Sequence, residues 1–136
     1  MPIRTKLTTR GFEEYLERLA NAGRDIDAIA ADVLVAGGRV LAEGMQERAP
    51  KDTHNLENNI EVSEPQRDGN FTFVWVGLKK SADGNTHRYA LAQEYGWADR
   101  QGAKAGQPYI RPTLDSDMGK ARKAMRDVYE QEVKGL

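Results

Sequence analysis

Apolar residues near the start of the chain recur at helical intervals. Phe12, Leu16 and Leu19 fall on one side of a short helix that Gly23 interrupts. Asp25 is placed to cap a second, longer helix, whose stripe runs Ile26, Ile29, Ala30, Val33, Gly37, Val40, Leu41, Gly44 and Met45. Small residues recur in that stripe, although glycine inside a helix costs about 1 kcal/mol relative to alanine. Ala30, Gly37 and Gly44 therefore imply close approach by a neighbour, either the protein's own sheet or a second subunit. Pro50 ends the helix after Ala49, because the residue before a proline is pushed out of the α region.

After a polar turn at 51–55 the period changes to two. Leu56, Asn58, Ile60 and Val62 predict a first strand, and 65–70 holds Asp68-Gly69, a hairpin signal. Residues 71–78 are aromatic or β-branched almost throughout and predict the strongest strand. Phe71, Phe73 and Trp75 lie on one face, with Val74, Val76 and Leu78 on the other. Apolar residues on both faces need cover on both, and a partner subunit is one source of it.

Residues 81–86 read as a loop through Asp83-Gly84-Asn85, and 87–95 as a short helix stopped by Gly96. The stretch 98–106, rich in Ala, Gly and charge, is expected to be a mobile loop. Residues 107–112 are expected to be extended, since Pro108 and Pro112 both restrict the residue before them. A final helix then starts near Pro112 or Thr113 and buries Leu114, Met118, Ala121, Met125 and Val128. Asp115 and Asp117 in its first turn and Lys134 near its end suit the helix dipole. Together these elements predict one α+β domain over 1–136, with a long N-terminal helix and a C-terminal helix packed on a small antiparallel β-sheet.

Composition narrows the function classes. The chain has 136 residues, 39% hydrophobic and 30% charged, which fits a globular domain with a modest core. A net charge of -1 gives no overall pull toward nucleic acid or membrane. With no cysteine, disulfides and thiolate metal sites are excluded. The N-terminus lacks the apolar run of a signal peptide, and no stretch approaches the roughly 20 apolar residues that cross a bilayer. The expected address is the cytoplasm.

Candidate chemistry is sparse. His54 and His87 have no ligand at a zinc-like spacing, so neither a metal nor a cofactor is expected. The G-x-S-x-G signature is absent, and Gly37-Gly38 and Gly102 to Gly106 match neither phosphate-binding pattern. Glu57, Glu61 and Glu94 could converge as hydrolase carboxylates, but 21 acidic residues make some convergence a matter of chance. Lys79-Lys80 and the basic run Lys120, Arg122, Lys123 and Arg126 could touch phosphate. Asp115, Asp117, Asp127, Glu130 and Glu132 around that run mark it as a solvated helix face instead. The chain reads as a non-enzyme.

Taken in order, these segments have a recognisable plan: long helix, Ala49-Pro50, Thr53-His54-Asn55-Leu56, hairpin, Tyr89-Ala90 with Glu94-Tyr95-Gly96, Gln107-Pro108-Tyr109-Ile110-Arg111-Pro112, final helix. This resembles the neck, or head–tail joining, family of long-tailed phages typified by the coliphage Hong Kong 97. That family carries A-P…T-G-x-L, Y-A-x-x-x-E-x-G and P-F-x-R-P-A motifs, and the resemblance covers roughly residues 9–134. His54 stands where the family has glycine, and Tyr109 and Thr113 replace phenylalanine and alanine. The resemblance implies a structural subunit of the head–tail joint, a connector, neck or tail-completion protein. A tail terminator or minor tail protein of similar fold is the neighbouring alternative. A small nucleic-acid-acting enzyme or regulatory binder is the alternative of a different class.

Implied partners are further copies in a homo-oligomeric ring and the adjacent head-closure, connector, tail-terminator or tail-tube proteins. DNA passing through a lumen could be touched passively, and no membrane is involved. On this reading Pro108 and Pro112 pre-form an arm, which lowers the entropy cost of docking it. Tyr109 and Ile110 would face opposite ways from that arm, one anchoring it and the other meeting a neighbour. Arg111 would pair with Glu94, within the subunit or as part of the joint. Trp75 and Trp97 complete the candidate interaction set of Glu94, Tyr109, Ile110, Arg111, Trp75 and Trp97.

Overall fold

A computed structural model describes residues 3–52 and 54–136. The elements in order are β1 (Arg4–Thr8), α1 (Glu13–Asn21), α2 (Ile26–Arg48), α3 (Asn55–Asn58), β2 (Ile60–Val62), β3 (Gln66–Asp68), β4 (Phe71–Leu78), α4 (Gly84–Tyr95), β5 (Trp97–Asp99), β6 (Gly102–Lys104) and α5 (Ile110–Lys134). The mixed α+β class expected from the pattern holds.

β4 is the hub of the main sheet. It pairs antiparallel with β1 along one side and with β2 and then β3 along the other. The hairpin at Asp68-Gly69 is present: Gly69 has φ 63, and Asp68 pairs with Phe71 across a two-residue turn. β1 was not visible in the pattern, because Leu7 is the only apolar residue of Arg-Thr-Lys-Leu-Thr. Leu7 points inward and is buried, while Arg4 and Lys6 lie on the outer face.

Those outer side chains answer the question of cover. The Arg4 guanidinium carbon lies 4.5 Å from the Trp75 ring centroid, Lys6 Nζ 4.1 Å from Phe73, and the Arg10 guanidinium carbon 4.7 Å from Phe71. Cations over ring faces are electrostatically favourable, and their aliphatic stems shield apolar surface. The outer face of β4 is thus roofed by its own chain, and Trp75 is half-buried without a second subunit.

The inner face, with Val74, Val76 and Leu78 buried, packs on α2. α2 begins as expected, with Asp25 Oδ1 accepting a hydrogen bond from the Ala28 N–H at 3.2 Å, and it ends with Ala49 extended before Pro50. Its burial is wider than one stripe, since Leu34, Gly38 and Ala42 join the expected residues. The small residues serve two neighbours. A methyl group at Gly38 would lie 2.8 Å from Val62 of the sheet, whereas one at Gly37 would lie 2.6 Å from Met125 of α5. The closest approach is therefore within the monomer, and much of it is helix on helix.

α5 packs chiefly along α2. It starts at Ile110, before the expected position, and its fully buried stripe is Ile110, Thr113, Asp117, Ala121, Met125 and Tyr129. Leu114, Met118 and Val128 are only half-buried, and Asp115 and Asp117 fall in the second turn. α1 docks on α5 through aromatic rings, with Tyr15 stacked on Tyr129 at 5.4 Å and Phe12 5.3 Å from Tyr129.

Three local expectations change. The strand predicted from Leu56 begins only at Ile60, because 55–58 form a helical turn that buries Leu56. The loop at 81–86 is mostly the first turn of α4, capped by Asp83, whose carboxylate accepts from the Thr86 N–H at 2.7 Å. The segment 98–106 is not an irregular loop, since β5 and β6 pair as a hairpin. His54 takes φ 62, so the turn keeps a left-handed backbone although a histidine fills the glycine position. Thr53 of that motif lies outside the described residues.

Candidate interaction site at the start of the last helix

A helix begins with backbone N–H groups that have no partner inside it. α5 has Tyr109 at its N-cap position with no side-chain capping bond of its own. Its donors are satisfied from another helix. Glu94, near the end of α4, accepts from the N–H groups of Tyr109 at 2.9 Å and Ile110 at 2.7 Å through Oε1, and of Arg111 at 3.1 Å through Oε2. The fourth position is Pro112, which has no N–H to satisfy. One carboxylate and one proline thus resolve the whole helix start, and the negative charge sits where the helix dipole favours it.

This geometry corrects the extended-arm expectation. Ile110, Arg111 and Pro112 are helical, because proline in the first turn removes no hydrogen bond that the helix would make. Tyr109 and Ile110 do not face opposite ways into a partner: they are 0% and 7% exposed and belong to the core. Burial also raises the Tyr109 hydroxyl pKa well above its ordinary value, with the nearby Glu94 carboxylate adding to the shift. The expected contact between Glu94 and Arg111 exists, but through the backbone N–H. The Arg111 guanidinium is exposed and makes no ion pair with Glu94.

Neighbouring contacts hold the junction shut. The Gln107 N–H donates to Gln93 Oε1 at 2.9 Å, and its side-chain amide donates to the Arg48 carbonyl at 3.1 Å. Arg48 donates to Asp117 Oδ2 at 2.8 Å and to Thr113 Oγ1 at 3.3 Å, and Thr113 in turn donates to the Tyr109 carbonyl at 2.6 Å. Arg48, Asp117, Thr113 and Gln107 were missed as a group, although the i, i+4 spacing of Thr113 and Asp117 puts them on one helix face.

The Arg48 hydrogen bond holds the Asp117 carboxyl below its usual pKa, against the opposing effect of burial. A depressed carboxylate stabilises the fold above its unfolded pKa and loses that contribution as pH falls through its folded value. Thermal melts from pH 6 to about 2.5 should show the melting temperature of the native chain falling below about pH 4. Asp117→Asn should start lower and fall less steeply, and equal slopes would contradict the assignment.

Beyond the junction, Gly96 (φ 80) turns the chain into the β5–β6 hairpin. All six strand residues of this hairpin are exposed. Trp97 is 44% exposed and the adjoining Tyr95 45%, the largest exposed aromatic pair among the described residues. A groove of about 530 Å³ opens beside Tyr95, with Pro108, Ile110 and Leu114 as apolar lining and Arg4, Arg111 and Glu94 as charged lining.

The possible hydrolase carboxylates do different jobs. Glu57 bonds Lys51 and His54, Glu94 caps α5, and Glu61 lies opposite Gly77 on the sheet. Among the described residues no group of three or more His, Asp or Glu is placed to hold a metal ion, and no helix is long and apolar enough to cross a membrane.

The chain matches the family described as "Bacteriophage HK97-gp10, putative tail-component" over residues 10–96. The match takes in the long helix, the hairpin, β4 and α4 with Glu94, and stops before the 107–112 motif. Searches of curated proteins and of solved structures found no match. With the family matched over more than half of its length, the chain belongs to the Hong Kong 97 type of phage tail-component proteins, and is a phage structural protein.

Proposed function

We propose that this subunit works at the head–tail joint, as a neck or tail-completion component that assembles with copies of itself and with the adjacent connector and tail proteins. The observation that carries the reading is the 97–104 hairpin: two short strands paired with each other, with every side chain exposed and an exposed tryptophan at the base. An isolated two-stranded hairpin is marginal in water, and exposed aromatics are characteristic of contact surfaces. Its root is anchored, because Gly96 lies two residues after Glu94, whose carboxylate caps α5. An anchored base with an exposed arm suits a part that docks.

Sedimentation velocity over a concentration series, with negative-stain imaging, tests the self-assembly part. The wild-type chain should form concentration-dependent oligomers, with closed rings among them. A variant in which 97–104 is replaced by a short glycine linker should remain monomeric. Identical sedimentation of the two would remove the hairpin from the account.

A further inference from the structure

We propose that the hairpin of one copy seats in the Arg4–Arg111 groove of a second copy, with Asp99 meeting the guanidinium of Arg111. The inference rests on the self-assembly reading above and names the surfaces that would meet.

The groove carries more positive than negative charge, with two arginines in its lining and one glutamate. Arg4 and Arg111 both line it. Arg4 is stacked on Trp75, and Arg111 has no ion pair among the described residues. The one carboxylate present, Glu94, is already bonded to three backbone N–H groups. Pro108 and Leu114 supply apolar surface beside these charges. An occupant that fits would bring a carboxylate next to an apolar side chain.

The hairpin brings both. Trp97 and Asp99 are two residues apart on one strand and so lie on the same side of it. The pairing of Asp99 with Gly102 puts the carboxylate next to the two-residue turn at the tip, with Arg100 in that turn. Lys104 pairs with Trp97 at the base and is the cation on that side. The groove, at about 530 Å³, has room for the tip and an aromatic edge. A carboxylate can meet a guanidinium through two parallel hydrogen bonds, and this pairing strengthens as water is excluded. Donor and acceptor are different surfaces of the same chain, so each copy gives one arm and receives one, a heterologous contact that closes into a ring when the rotation permits.

The absence of cysteine makes a direct test simple. Full-length chains carrying Asp99→Cys alone and Arg111→Cys alone, distinguishable by mass, are mixed and oxidised. Disulfide-linked heterodimers should dominate over both homodimers. In parallel, Asp99→Arg and Arg111→Asp should each weaken self-association about ten-fold, and the double reversal should recover most of it. Circular dichroism and melting curves identify a variant that has lost its fold, and the cysteine pair then decides, since both positions are exposed. Oligomers that form normally but yield a statistical mixture of disulfides, or mainly homodimers, would overturn the arm–groove contact and leave self-assembly standing. A wild-type chain that stays monomeric at its highest soluble concentration and gives no cross-link would overturn both.

Discussion

Replacing Glu94 with alanine is expected to lower the unfolding free energy by about 2–3 kcal/mol. The loss exceeds that of an ordinary cap because three N–H groups lose their acceptor together, at the end of the helix dipole. Tyr109 and Ile110 beside them are buried, so water cannot freely replace the carboxylate. Glu94→Gln keeps one acceptor oxygen without the charge and should fall between wild type and alanine. Urea unfolding gives the three midpoints, and hydrogen exchange at 109–111 shows whether the loss is local. Equal midpoints for all three chains would mean that the cap contributes nothing. The same variant loosens the root of the hairpin, so it should also weaken self-association.

Gly44→Val is the second large effect, with an expected loss of about 3 kcal/mol. A Cβ at this position would sit 2.9 Å from Thr113 Cγ2 and 3.0 Å from Arg48 Nη1, and would strike Asp117 Oδ2. The substitution therefore forces α2 and α5 apart and breaks the Arg48–Asp117 pair in one step. Gly119 on α5 provides the contrast, because a Cβ there meets nothing within 4 Å. Gly119→Ala should raise stability by about 1 kcal/mol through helix propensity alone. Denaturation midpoints for the two variants that moved in the same direction would contradict the packing described here.

The contrast between these glycines also explains what could be read from sequence. The 3–4 spacing along α2 was legible because one side of a long helix is almost wholly apolar, and β4 was legible because nearly every residue is β-branched or aromatic. The two glycines in the α2 stripe announced a close neighbour but not which one, since a period marks a face and not what lies against it. β1 was silent for the opposite reason. An edge strand that turns one leucine inward and two cations outward carries too few apolar residues to show a period. The hairpin at 97–104 was hidden because neither of its faces is buried, so nothing in it alternates.

At the site itself, the motif residues were found and their roles were not. Glu94 and the segment from Pro108 to Pro112 stood out as belonging together, and they do meet. Sequence reasoning assigned the contact to side chains, with charge paired to charge, because backbone N–H groups are invisible in a sequence. The presence of two prolines argued for an extended segment by the rule on preceding residues. That rule gave way to a stronger local fact: proline is tolerated in a first helical turn, where a missing N–H costs nothing. As a result Tyr109 and Ile110 moved from the candidate contact surface into the core, and the exposed residues next to the motif are Tyr95, Trp97 and the hairpin beyond them.

The central claim is that this subunit joins heads to tails, and one measurement meets it directly. A phage or prophage lysate lacking only this chain is imaged by electron microscopy, before and after purified full-length protein is added. The account predicts filled heads and complete tails lying separate, which join when the wild-type chain is added and stay apart when the chain lacks 97–104. Joined, infectious particles in the lysate that lacks the subunit would contradict it.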